Sequence, residues 1–149
     1  MSTALADARL KAKAIGDCTA IIALLPYAQW LGVEMRLLST EPQFNLPFKP
    51  LLMGNPTLPA IHGGVTATFM ETAAILHLGF ILDETRMPKS IDFSVDYLRS
   101  AACVESFAAC TVTRLGRRVA QVQIRCWQED SERPVAVARA HFLLTADVE

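Results

Sequence analysis

Between Gly64 and Leu82 the chain carries one carboxylate, Glu71, and no proline, and this run dictates what the remaining residues must do. Its length approaches that of a bilayer crossing, but Glu71, His77 and three threonines (Thr66, Thr68 and Thr72) interrupt it, and such groups are costly in lipid. The run is therefore read as a buried core helix with no membrane partner, and the other elements have to enclose it.

The C-terminal half supplies the enclosure as four strands. Ile91, Phe93, Val95 and Tyr97 alternate with polar residues in a strand ending near Ser100. Val104 to Leu115, a turn at Gly116-Arg117-Arg118, and the alternating Ala120, Val122, Ile124 and Cys126 read as a hairpin. In the last strand Ala136, Ala138, Ala140, Phe142 and Leu144 share one face, the alanines leaving room for a closely packed helix. Upstream, Val33 to Leu37 and Phe44 to Phe48 fit two short strands separated by a break at Glu41-Pro42. Pro47 to Pro59, with four prolines, Gly54 and Asn55, is a loop by turn chemistry. A helical lead-in from Ala4 to about Tyr27 is ended by Pro26. Short connections predict an antiparallel meander against one helix: a single α+β domain over 1–149.

With 52% hydrophobic and 19% charged residues the chain is not a disordered one, and a subunit interface, hence a homo-oligomer, is expected. Lys plus Arg at 14 against Asp plus Glu at 15 leaves no basic footprint for nucleic acid. Cys18, Cys103, Cys110 and Cys126 form no C-x-x-C pair and read as buried reduced thiols. The N-terminal MSTALADARLKAK lacks the uninterrupted apolar stretch of a secretory signal, so the expected compartment is the cytoplasm.

Glu71 is the residue that points to chemistry. Its helical neighbours Ala67, Thr68, Ala74 and Ile75 make its face largely apolar, and a carboxylate there needs a partner, such as Arg99 or Arg139, or a purpose. His62-Gly63-Gly64 precedes the helix, where free backbone N–H groups can polarise a carbonyl oxygen and glycines permit close approach of a substrate. His77 and His141 read as structural or interfacial. No cluster has metal-ligand spacing, the Gly-rich element is too short for a dinucleotide loop, and no G-x-S-x-G occurs. Neither a metal nor a bound cofactor is expected.

The run from Asn55 to Ala74, N-P-T-L-P-A-I-H-G-G-V-T-A-T-F-M-E-T-A-A, resembles the signature of hot-dog-fold acyl-CoA thioesterases of the phenylacetic-acid-degradation (PaaI-like) branch. Downstream, Ser90 to Ala101 is similar to that family's first strand after its helix, and Leu115-Gly116-Arg117 to its later hairpin. The lead-in Pro26 to Gly32 is similar as well, so the resemblance covers most of the chain from about Leu31 onward.

The resemblance implies a sheet wrapped around the central helix and paired into a homodimer or homotetramer, with active sites at the interface. One subunit supplies the His-Gly loop and the other the acid. By position Glu71 is the general base or nucleophile, Gly63 and Gly64 the carbonyl-polarising backbone, Asn55 and His62 orient substrate or water, and Ser90 assists the water. The branch more often has Asp where this chain has Glu71, and the run from Asn55 to His62 is one residue longer than usual. The implied substrate is a coenzyme A or acyl-carrier thioester, with Arg99, Arg117 and Arg118 as candidates for phosphate binding and Leu52, Met53, Phe69 and Met70 for the acyl pocket. A hot-dog hydratase or dehydratase, or a non-catalytic acyl-thioester-binding module, are the alternatives.

Overall fold

A computed structural model describes residues 2–83 and 86–144. The chain begins with three helices, α1 (Ser2–Ile15), α2 (Thr19–Ala23) and α3 (Pro26–Leu31), where the sequence predicts one. Gly16 takes φ +71°, a left-handed conformation that closes α1 without a Cβ penalty, and Asp17 Oδ1 accepts the Thr19 N–H at 3.0 Å to open α2. Pro26 starts α3 instead of ending a helix, because a proline in the first turn has no hydrogen bond to lose.

A hairpin follows, β1 (Glu34–Leu38) and β2 (Glu41–Leu46). Its turn lies at Ser39, with φ 60°, so Glu41-Pro42 belongs to the strand instead of breaking it, and Pro42 lies opposite Leu37. β2 meets its other neighbour only over Phe44–Leu46, so Pro42 leaves no gap in that ladder. The proline-rich segment predicted as loop carries a 3₁₀ turn, Pro50–Leu52, and a two-stranded hairpin of β3 (Met53–Asn55) with β4 (Ala60–Ile61).

The central helix, α4, runs Gly63–Ile81 and is buried along most of its length, Phe69, Met70, Ala73, Ala74, Leu76 and Leu78 completely. It is long and apolar enough to cross a membrane, but here it is the core helix. After it come β5 (Lys89–Tyr97), β6 (Ser106–Leu115), β7 (Val119–Trp127) and β8 (Ala136–Leu143). All pairings in the six-stranded sheet are antiparallel and its order is β1-β2-β6-β7-β8-β5. This is the hot-dog arrangement, a sheet wrapped around one helix.

The order is not the predicted meander. β5 crosses to the edge beside β8, and β6 pairs with β2. The connection 98–105 can span the roughly 14 Å across three inter-strand spacings, so its length does not dictate neighbours. A bulge between Ser90 and Asp92 leaves Ile91 57% exposed, while Phe93 and Val95, opposite Ala140 and Ala138, pack against the core. Being an edge strand, β5 has no strand neighbour on its outer side among the described residues.

Cys18 and Cys126 are buried, Cys103 and Cys110 half-buried, and all four are free thiols. Burial pushes the Cys126 thiol up to about 12 and raises Cys110 as well, so neither supplies a thiolate nucleophile.

His77 lies in the core with its Nδ1 unpartnered among the described residues, and burial, outweighing the charge of Glu41, lowers its pKa from 6.5. In the unfolded chain the ring takes up a proton as pH falls through 6.5, whereas the folded chain resists it. His77 thus favours the fold above that pH and opposes it progressively below. His77→Leu is expected to shrink the fall in Tm between about pH 7.5 and about pH 5; an unchanged fall in that variant would refute this.

Candidate active site

His62 stands at the N-cap of α4. Its N–H donates to the Leu52 carbonyl at 2.9 Å, its carbonyl accepts from Val65 at 2.9 Å and Thr66 at 3.3 Å, and its Nδ1 accepts the Gly64 N–H at 2.9 Å. Nδ1 is an acceptor, so the neutral ring carries its proton on Nε2. The Gly64 N–H is therefore occupied. The Gly63 N–H is bonded to nothing among the described residues, which makes it the free donor at the positive end of the helix. It borders a cavity of 400 Å³ lined by Gly63, Tyr97, Arg99 and Ala101, among others.

The glycines serve a purpose that the sequence reading misses. A Cβ on Gly64 would lie 2.9 Å from His62 Nδ1, and one on Gly63 would lie 3.3 Å from the Tyr97 ring. They first admit these two side chains. Gly54 acts similarly on β3, where a Cβ would come within 2.7 Å of His62 Cα. A lone glycine in a proline-rich stretch gives little sign of such a contact.

Glu71 lies two turns further along α4. It is half-buried, not enclosed as its apolar neighbours predict. It makes no hydrogen bond or ion pair among the described residues, so neither Arg99 nor Arg139 is its structural partner. It lines a groove of 350 Å³ between α4 and α3, together with Leu25, Pro26, Tyr27, Ala28 and Ile75. Tyr27 stacks on Trp30 with ring centroids 5.4 Å apart, an exposed aromatic pair on α3. Phe69 and Met70, predicted to line an acyl pocket, belong to the core instead, because α4 is apolar all round and the sequence cannot distinguish its faces.

Ser90 is at the start of β5, opposite Phe142, its Oγ buried with no hydrogen-bond partner among the described residues. Asn55 spends its Oδ1 on the turn it opens, accepting from Thr57 at 3.0 Å and Leu58 at 3.2 Å. Arg99 reaches the cavity beside Gly63, but Arg117 and Arg118 line a separate cavity of 430 Å³ with Arg114 and His141. His141 Nδ1 is 3.2 Å from Asp92 on the outer face, away from the helix. No group of three or more potential metal ligands occurs among the described residues.

Distances along the elements show what one protomer assembles. Gly63 and Glu71 are separated by about 12 Å of helix rise. Tyr97, which touches Gly63, is roughly 23 Å along β5 from Ser90. The free N–H, the unpaired carboxylate and the buried hydroxyl are each suited to acyl transfer, but they do not converge on one reacting carbonyl within a single chain.

Residues 58–135 match the family described as the Thioesterase superfamily. The chain is 28% identical over 134 residues to the medium/long-chain acyl-CoA thioesterase YigI of Escherichia coli K12, covering 80% of this chain and 86% of that protein. A Chromobacterium violaceum crystal structure superposes with TM-score 0.75 at 42% identity, covering 95% of this chain and 96% of the other. A Bacillus halodurans protein crystallised with CoA shares the fold at TM-score 0.70 and 18% identity, covering 98% of this chain and 91% of the other.

Proposed function

The chain belongs to the thioesterase superfamily, and from this we propose that it is an acyl-CoA thioesterase whose acid is Glu71 and whose carbonyl-polarising donor is the Gly63 N–H. The observation that carries the assignment is Glu71, a carboxylate with no charge partner among the described residues, beside an apolar groove. A pocket that only held an acyl chain would gain little from it. Water attacks the thioester carbonyl as Glu71 takes its proton, or Glu71 attacks directly. The oxyanion that forms is held at the helix N-terminus, and the tetrahedral intermediate collapses with departure of the CoA thiolate; on the direct route water then hydrolyses the acyl anhydride on Glu71 and restores the carboxylate. CoA enters this scheme as part of the substrate, and no resident cofactor is required.

The site is completed by a second copy. If the free edges of β5 pair antiparallel about a two-fold axis, the Tyr97 end of one strand lies against the Ser90 end of the other. Gly63 of one subunit then faces Ser90 of the partner subunit, across the gap of about 23 Å that one protomer leaves, and Glu71 of the partner subunit supplies the acid from its own helix. Ser90 holds the water, His62 Nε2–H orients it or the substrate, and Asn55, its oxygen engaged in the turn, has only its amide N–H groups to offer. Arg99 comes to the same end as Arg117 and Arg118 of the partner subunit, a cationic setting for the CoA phosphates. Four free thiols suit a cytoplasmic protein.

The groove beside Glu71 is apolar and open at the Tyr27–Trp30 pair, which favours an extended acyl chain, and the E. coli relative named for medium and long chains supports that choice. Thiol release from short, medium, long and aromatic acyl-CoAs is expected to peak with the medium or long members. Absence of release from every member, by folded and oligomeric protein, would turn the assignment toward a hydratase or a binding module.

A further inference from the structure

Two consecutive glycines at the mouth of a helix should be the least fixed part of a catalytic site, since each lacks the Cβ that restricts its backbone. Here the Gly63–Gly64 peptide is held at both ends. Its carbonyl, on Gly63, accepts a hydrogen bond from Tyr97 Oη at 2.7 Å, and its N–H, on Gly64, donates to His62 Nδ1 at 2.9 Å. A peptide unit is planar, so holding both of its polar ends sets the orientation of the whole unit. Among the described residues the preceding His62–Gly63 unit is held only through its carbonyl, by Val65 and Thr66, and leaves the Gly63 N–H free. The Tyr97 ring also lies flush against Gly63, where a Cβ would come within 3.3 Å of it.

We propose that Tyr97 is a positioning residue which, with His62, clamps the Gly63–Gly64 peptide and thereby aims the free Gly63 N–H. The proposal rests on the reading that this N–H polarises the thioester carbonyl. Tyr97 touches no reacting atom; it acts from the far end of β5 through a backbone carbonyl. It thus links the strand on which Ser90 lies to the helix on which Glu71 lies. A hydroxyl on a half-exposed ring, 53% accessible, has no core-packing reason to be bonded at 2.7 Å to this one carbonyl.

Tyr97→Phe removes the bond and keeps the ring. The chain has only 7 glycines, so ¹⁵N-glycine labelling reads the clamp directly from a handful of backbone amides. In Tyr97→Phe the Gly63 and Gly64 amides are expected to shift, and Gly64 to exchange with solvent roughly tenfold faster, while Gly16, Gly32 and Gly116 stay in place. On the best acyl-CoA, kcat is expected to fall by about fivefold to tenfold with KM changed less than about twofold, the pattern of an interaction felt mainly in the transition state. Unmoved Gly63 and Gly64 amides overturn the clamp, and moved amides with full kcat overturn its role in aiming the N–H. If the wild type released thiol from no acyl-CoA, the hydrolase assignment would fail and the clamp would still stand or fall on the glycine amides.

Discussion

Glu71→Gln is expected to lower thioester turnover by about a hundredfold or more, with little change in KM and none in oligomeric state. Glutamine keeps the size and hydrogen-bonding reach of the side chain and removes its capacity to take a proton or to attack as an anion. Glu71 has no ion pair among the described residues, so the substitution breaks no salt bridge there, and Tm should remain within a few degrees of wild type. A large fall in both turnover and Tm would instead mark Glu71 as a structural anchor. Near-full turnover would take it out of the mechanism altogether.

The second large effect is expected from one backbone hydrogen. Proline at the first turn of a helix is well tolerated, and it requires an extended conformation in the preceding residue. His62 already has φ −59° and ψ 131°, which meets that requirement. Gly63→Pro therefore deletes the free N–H with modest disturbance of α4. The new ring atoms crowd Tyr97, which a Cβ would approach to 3.3 Å, and Gly63→Ala supplies the control: the same Cβ with the N–H retained. Relative to that control, Gly63→Pro is expected to lose a further factor of about 10² to 10³ in kcat, the scale associated with a single oxyanion donor. Equal activity of the two variants would refute the role of the N–H.

Mixing these two inactive proteins locates the site. If Glu71 of one subunit works with Gly63 of the other, half of a randomly exchanged population is mixed dimer, and each mixed dimer holds one wholly native site. Activity should then return to about a quarter of wild type. No recovery after verified subunit exchange would place the acid and the donor of each site on the same chain.

The elements legible in the sequence were those whose signal is local. The apolar run of α4 and the alternation in β6, β7 and β8 carry their own periodicity, and the observed bounds differ from the expected ones by a residue or two. Strand order is not local. Nothing near β5 records that it crosses to β8, because a connection that can span three strands can as easily join neighbours. Pro26 shows a different ambiguity: a proline that ends one helical pattern is equally suited to begin another, and the left-handed Gly16 had already ended the first. At the site, Glu71 and His62-Gly63-Gly64 were visible by residue type and spacing. Tyr97 was not, since its partner is a main-chain carbonyl 34 residues away. The exposure of Glu71 was misjudged because helical neighbours say nothing about the open side of a groove.

The bulge at Ile91 has a bearing on how this chain can vary. Side chains alternate along β5 with a period of two, so the stretch between the bulge and Tyr97 works as a ruler: it sets which residues face inward and where the tyrosine hydroxyl arrives. Loss or gain of one residue there would exchange the inward and outward sets and carry the hydroxyl away from the Gly63 carbonyl, whereas substitutions at outward positions such as Ser94 leave the measure intact. Between these two points the chain is free to change its letters and bound to keep their number.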